Sequence, residues 1–185
     1  IHVQAGDLED GIRDLKSGQD EKAFAGIKRA AEKGNAPAQE LLGEMYESGK
    51  GTLKDMRQAV IWYKKAAGQG IPESQFNLGQ CYEHGDGVSK NIQEAVRWYK
   101  KAAGQGYMQA QMKMGVFHEK GEYVPQDNKA AFQWYRKAAE QGLPQAQYNV
   151  ALLYANGKGV DKNAKEAINW YSKAANQGYE KAQHN

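Results

Sequence analysis

Four histidines, one cysteine and a set of Gly-x-Gly turns are the residues through which this 185-residue chain could do chemistry. A metal site needs its ligands brought to one point, and a nucleophile needs a base beside it. His2 and His184 stand at the two ends of the chain. His84 and His118 fall in successive copies of a repeated segment but at different positions of it. They read as surface or internally satisfied histidines, not as a ligand pair. Cys81 takes the place that other copies give to Met45, Phe117 and Leu153, which makes it a small core residue. As the one cysteine it allows neither an internal disulfide nor a cysteine-based metal cluster. The turns Gly49-Lys50-Gly51, Gly85-Asp86-Gly87 and Gly157-Lys158-Gly159 follow helical segments and recur with the repeat, unlike a phosphate loop. No Ser-His-Asp set, Walker loop or dinucleotide fingerprint occurs in the sequence. The expectation is a protein that is not an enzyme and carries no cofactor and no metal.

All these residues are positioned by one recurring stretch. Trp62-Tyr63-Lys64-Lys65-Ala66-Ala67-Gly68-Gln69-Gly70 returns at Trp98, Trp134 and Trp170, 36 residues apart each time, without insertion or deletion. A fixed period of this size marks a solenoid, whose units bury their apolar faces only by stacking on one another. The spacing predicts a first helix of each unit, helix A, near 36–48, 72–84, 108–120 and 144–156. A second, helix B, is predicted near 56–68, 92–104, 128–140 and 164–176. Ala38, Leu42, Met45 and Tyr46 recur at helical spacing and define a buried stripe. Gly49, Gly85, Gly121 and Gly157 end the A helices, and Gly70, Gly106, Gly142 and Gly178 end the B helices, because a left-handed cap costs glycine nothing. Asp55, Asn91, Asp127 and Asn163 stand as caps of the B helices. Gln58, Glu94 and Glu166 complete a capping-box spacing that Ala130 breaks. The paired bases Lys64-Lys65, Lys100-Lys101 and Arg136-Lys137 read as a solvated outer face.

Residues 1–35 read as a divergent capping unit with a first helix around Asp7–Ser17 and with Gly26 and Ile27 in place of the Trp-Tyr pair. Full units follow at 36–71, 72–107, 108–143 and 144–179, and 180–185 as the start of a further helix. The chain opens on Ile1 rather than Met, and Glu180-Lys181-Ala182-Gln183 copies the opening of a unit and then stops. Both ends therefore read as cut. Net charge is +3 from 25 basic and 22 acidic residues, too even for the concentrated basic footprint of a nucleic-acid binder. With 41% apolar and 25% charged residues the composition suits a folded domain. No stretch approaches the roughly 20 apolar residues that cross a bilayer, so direct membrane insertion is not expected.

The run Ala146-Gln147-Tyr148-Asn149-Val150-Ala151-Leu152-Leu153-Tyr154-Ala155-Asn156-Gly157-Lys158-Gly159-Val160, followed by Ala167 and Trp170-Tyr171-Ser172-Lys173-Ala174-Ala175, resembles the Sel-one-like repeat, a cousin of the tetratricopeptide repeat. The resemblance covers about residues 36–185. It implies an all-α fold, a right-handed superhelical solenoid of antiparallel helix pairs with a concave inner surface. It also implies an adaptor or scaffold that binds a protein or peptide, or an inhibitor or immunity-type protein that caps an enzyme. Relatives are often bacterial and often exported, which favours a periplasmic or secreted setting over a cytoplasmic one. A cell-wall or lactam hydrolase is the contrasting class, and no residue set in the chain carries it.

Equivalent positions in successive A helices form columns where a partner would bind. One reads Glu40, Phe76, Met112, Tyr148, and helical geometry places it about 160° from Leu42. Beside it run Gln39, Gln75, Gln111 and Gln147, and one turn on come Glu47, Glu83 and Glu119, with Ala155 in the last copy. Apolar and amide contacts edged by carboxylates suit a peptide or helix of some basic character. Packing between units explains the glutamine and aromatic columns equally well, and both readings stand at this stage. Tyr123 joins the set because it replaces a glycine that the turn otherwise keeps. The other departures of the third unit, Met112-Lys113-Met114 and His118, also point to recognition.

Overall fold

The computed structural model describes residues 2–183, and side-chain surroundings for residues 6–182. His184 and Asn185 lie outside the described residues, as does the side chain of His2. Among the described residues there are eleven helices and no strand. They are α1 (His2–Lys16), α2 (Asp20–Glu32), α3 (Ala36–Ser48), α4 (Met56–Gly68), α5 (Pro72–His84), α6 (Ile92–Gly104), α7 (Met108–Lys120), α8 (Asn128–Glu140), α9 (Pro144–Asn156), α10 (Ala164–Asn176) and α11 (Glu180–Gln183). The predicted A and B helices of the four full units coincide with α3 to α10. The chain forms two compact units, residues 1–98 and 99–185.

Each boundary has a local cause. Asp55 accepts from the N–H groups of Arg57 and Gln58, Asn91 from Glu94, Asp127 from Ala130 and Asn163 from Glu166. The N–H of each capping residue donates to the carbonyl of a helix-A residue: Tyr46, Tyr82, His118 and Tyr154 in turn. That bond does the work a capping-box side chain would do, so Ala130 breaks the sequence pattern without leaving a donor unmatched. The A helices stop at Gly49, Gly85, Gly121 and Gly157, all left-handed.

In the first unit, α3 and α4 form a hairpin. The face of α3 carrying Ala38, Leu42 and Met45 packs on Ala23, Ile27, Ala30 and Ala31 of α2. Burying side chains of this size is worth roughly 1.5–3 kcal/mol each for the larger ones, which is what holds one hairpin on the next. Val60, Tyr63 and Ala67 of α4 pack likewise on Leu78 and Cys81 of α5. In the second unit, Phe132, Tyr135 and Ala139 of α8 meet Val150 and Leu153 of α9. Tyr63, Tyr99 and Tyr135 are fully buried, as is Ile27 at the same place of the capping unit. Trp62 and Trp170 are buried as well. Gly43 and Gly115 make room for the tyrosines. A Cβ at Gly43 would come 2.6 Å from the ring of Tyr63, and one at Gly115 would strike Tyr135.

Candidate partner-binding face

The twelve candidate residues separate into those the fold consumes and those it leaves open. The glutamine column is consumed. Gln39, Gln75, Gln111 and Gln147 are buried, and their amide groups donate to the carbonyls of Ala31, Ala67, Ala103 and Ala139 at 3.1–3.3 Å. Three of their carbonyls are taken in turn: Gln69 donates to Gln39 at 2.7 Å, Gln141 to Gln111 at 2.8 Å and Gln177 to Gln147 at 2.8 Å. Gln69 and Gln141 also reach the carbonyls of Gly34 and Gly106. A buried amide is tolerated only when its donors and acceptor are matched, and for Gln39, Gln111 and Gln147 both ends are. The packing alternative therefore describes the glutamines. Their partners are legible in the sequence as the Gln of every Gln-Gly that closes a B helix.

The carboxylates divide. Glu47 accepts from the hydroxyl of Tyr63 at 2.5 Å, and Glu119 from that of Tyr135 at 2.7 Å. Burial, then this hydrogen bond, raises the pKa of both phenols, which stay neutral donors. Glu47 and Glu119 thus anchor buried tyrosines with one oxygen. Glu83 is only slightly exposed and lies 4.0 Å from His84.

Glu40 is different. It lies in a group with Glu44 of the same helix and Glu73 of the first turn of α5, with one oxygen of each within 4.8 Å of the others. One oxygen of Glu40 is buried with no hydrogen-bond partner. Burial, then the charges of Glu73 and Glu44, pushes the Glu40 carboxyl up to about 7, and Glu44 is raised for the same kinds of reason. Of the three, only Glu40 stands in the candidate column of the sequence. The i, i+4 spacing of Glu40 and Glu44 was a visible signal. Glu73 was not, because its approach depends on how α5 seats against α3.

The apolar members are also uneven. Met112 is buried in the core with Phe132 and Val150, against the expectation that its column faces away from the buried stripe. The thioether is long and unbranched enough to fold back into the core. Phe76 is half-buried. Tyr148 is half-buried and packs on Tyr171 and Tyr179, each at 5.5 Å between ring centres. Tyr123 is 48% exposed, stands at φ 66°, and sets its ring edge-on to Phe117 at 5.3 Å. Its counterparts Gly51, Gly87 and Gly159 share that φ, and a Cβ there would strike the carbonyls of Asp20, Met56 and Asn128 respectively. A tyrosine in this conformation costs roughly 1–2 kcal/mol relative to glycine.

Among the described residues, the remaining histidines and the cysteine stand apart from one another. Cys81 is buried and its thiol is pushed up to about 12, chiefly by burial, so it is a poor thiolate. His84 is exposed and His118 is half-buried, with a buried Nδ1 that has no partner.

Stacked helix pairs whose polar groups serve the stacking, with side chains left over along one face, define an all-α solenoid of the protein-interaction kind. The chain belongs to the Sel1 repeat family, whose pattern it matches at residues 36–71, 72–107, 109–143 and 144–179. It is similar to c5321, a protective antigen of uropathogenic Escherichia coli with an SLR fold: 39% identity over 97% of this chain, TM-score 0.91. It spans only 39% of that protein's length. A Sel1 repeat protein of Oxalobacter formigenes is 41% identical over 96% of this chain and 70% of its own, with TM-score 0.88. The immunity protein Pa5087 of Pseudomonas aeruginosa shares the fold at 22% identity, covering 95% of this chain and 67% of its own, with TM-score 0.60. A comparison with curated proteins found no match. The family is a non-enzymatic scaffold that mediates protein–protein interaction. Among the described residues no helix is long and apolar enough to cross a membrane.

Proposed function

We propose that this protein is a binding module that takes a protein or peptide with basic side chains on its concave helix-A face, with the principal contact on α3 and α5. The observation that supports this is the group of Glu40, Glu44 and Glu73, three carboxylates gathered at one place. Like charges held together are unfavourable, and an incoming lysine or arginine relieves the repulsion while gaining charge-assisted hydrogen bonds. Phe76 and Glu83 extend the contact along α5, and Tyr123 offers a separate exposed ring in the second unit. Gln39, Gln75, Gln111, Gln147 and Met112 support this face from beneath, and Glu47 and Glu119 tie it to the buried Tyr63 and Tyr135 of the B helices.

The test uses amphipathic helical peptides of matched length, one rich in lysine and one rich in glutamate, titrated against the whole chain by fluorescence anisotropy. The lysine peptide is expected to bind, to weaken as salt rises, and to lose at least about tenfold in affinity against Glu40→Gln/Glu44→Gln/Glu73→Gln. Equal binding of the acidic peptide, or binding unchanged by the triple variant, overturns the reading. The immunity protein of Pseudomonas aeruginosa is alike in fold alone, so capping of an enzyme ranks behind the binding module.

A further inference from the structure

The loop that follows α9 lies directly on the first turn of α8. A Cβ at Gly159 would come 2.1 Å from the carbonyl oxygen of Asn128, so only glycine lets the two backbones approach this closely. The approach sets Val160, the next residue of the loop, beside α8. Phe132 of α8 is buried there, edge-on to Tyr154 at 5.1 Å. Between helix and loop lies a groove of about 510 Å³ whose lining includes Phe132 and Val160. A space of this size takes one or two large side chains.

The rim of the groove is mainly of one sign. Lys129, Arg136 and Lys137 line it and are exposed, against a single carboxylate, Glu140. Glu140 accepts from Nε of Arg136 at 2.8 Å, and a guanidinium has further N–H groups to offer. Lys137 stands over Trp134 with its ammonium 4.5 Å from the ring centre, which fixes where that charge sits. Lys129 and Arg136 are two turns apart on one face of α8, with Phe132 between them. In the loop itself Lys158 and Lys162 flank Asp161. Arg136 and Lys137 belong to the basic ladder that reads in sequence as a solvated face. The groove gives them an apolar neighbour that a merely solvated face does not need.

The same register on α4 lacks one part of this. Arg57, Lys64 and Lys65 take the places of Lys129, Arg136 and Lys137, and Gly87 again lies against a helix carbonyl, that of Met56. Val60 replaces Phe132, and the space there, about 470 Å³, is lined by Arg57, Val88, Ser89 and two glycines, with no ring. Of the two grooves, the one on α8 joins cations to an aromatic floor.

We propose that the α8 groove binds a short acidic segment of a partner protein, with one large apolar side chain set on Phe132 and Val160 and carboxylates on either side of it meeting Lys129, Arg136 and Lys137. The apolar side chain supplies burial, and the carboxylates accept charge-assisted hydrogen bonds. The sign of charge is opposite to that of the Glu40, Glu44 and Glu73 face, so this is a second contact that stands apart from the first.

The probe is a short labelled peptide with one phenylalanine between aspartates and glutamates, too short to hold a helix, titrated against the whole chain by fluorescence anisotropy. It is expected to bind saturably and to weaken as salt rises. Lys129→Gln/Arg136→Gln should cost at least about tenfold, and so should replacing the phenylalanine of the peptide by serine. Arg57→Gln/Lys64→Gln, the same change on α4, should leave binding nearly unaltered, as should the triple glutamine variant of α3 and α5. Amide shifts in the spectrum of the labelled chain should centre on Gln133 and Val160. Equal losses from the α4 and α8 variants would mean attraction to charge in general and would overturn the proposal. Indifference to the phenylalanine, shifts centred elsewhere, or capture by phosphatidylglycerol vesicles without binding of the peptide would overturn it too. Repeating the glutamate-rich helix titration on Lys129→Gln/Arg136→Gln keeps any binding at α8 from being counted at the α3 and α5 face, so each site can fail without the other.

Discussion

Glu40 of α3 and Tyr148 of α9 occupy the same place of the repeat, three periods apart, on helices of equal length. Around Tyr148 the sequence supplies Tyr171 and Tyr179, and three rings pack together. Around Glu40 it supplies Glu44 and Glu73, and three carboxylates gather. The backbone is common to both, so the scaffold does not dictate this side chain. One copy spends the position on cohesion, and the other holds repulsion there. A repeat protein can stack with the same glutamines and tyrosines throughout and still vary what it displays.

The largest expected effects fall on the buried tyrosine that recurs through the repeats. Tyr63→Ala and Tyr135→Ala each leave a large void beside a glycine that cannot fill it, and each should cost roughly 3–5 kcal/mol, read from denaturant melts. If one of the two proves nearly neutral, the copies do not share a core, and the comparison between Glu40 and Tyr148 loses its common ground.

Next come the compared residues themselves, and here the signs should differ. Tyr148→Ala removes a half-buried ring and its two aromatic neighbours, a loss of roughly 2–3 kcal/mol. Glu40→Met removes a carboxylate held beside two others and should stabilise the chain by about 1 kcal/mol. The same substitution should weaken the lysine-rich peptide. Opposite movement of stability and binding is the signature of a position kept for a partner.

The strain at Glu40 also has a pH signature. Its carboxyl titrates near 7 in the fold, against 4.5 for an ordinary glutamate. Below about 4.5 it is protonated in both states and costs nothing. Between 4.5 and 7 the unfolded chain releases the proton while the native state keeps it, so stability falls as pH rises. Above 7 the loss is complete. Allowing for the solvent that reaches this site, the penalty is about 1–2 kcal/mol. Glu40→Gln should therefore gain on the wild-type chain between pH 4.5 and 7 and hold a constant lead above it. Parallel melting curves across that window would show that Glu40 ionises like an exposed residue.

The helices, their caps and the tyrosine core were legible because each rests on neighbours in sequence or on the fixed period: Asp55 caps its own helix, and Tyr63 recurs as Tyr135. The candidate face was legible only in part. Gln39 looked available because helical phase says which way a residue points, not which carbonyl waits there, and Ala31 lies eight residues back in the preceding hairpin. Met112 looked exposed because phase ignores the flexibility of a thioether. Glu73 joins Glu40 through the seating of one hairpin on the next, a distance no local pattern encodes.

The smallest expected effect concerns Tyr123. Tyr123→Gly relieves a left-handed conformation worth roughly 1–2 kcal/mol but removes the edge-on contact with Phe117, worth roughly 0.5–1.5 kcal/mol. The two nearly cancel, so the melting temperature should move by no more than the equivalent of about 1 kcal/mol. A residue that costs as much as it contributes to the fold is free to answer to something else. Comparing Tyr123→Gly with Tyr123→Leu separates the two roles. Leucine keeps the strain and loses the ring, so it should be the less stable of the pair, while both lose the same contact with a partner. Equal stability of the two variants would mean that the turn relaxes around whatever side chain it carries, and Tyr123 would then mark no strain at all.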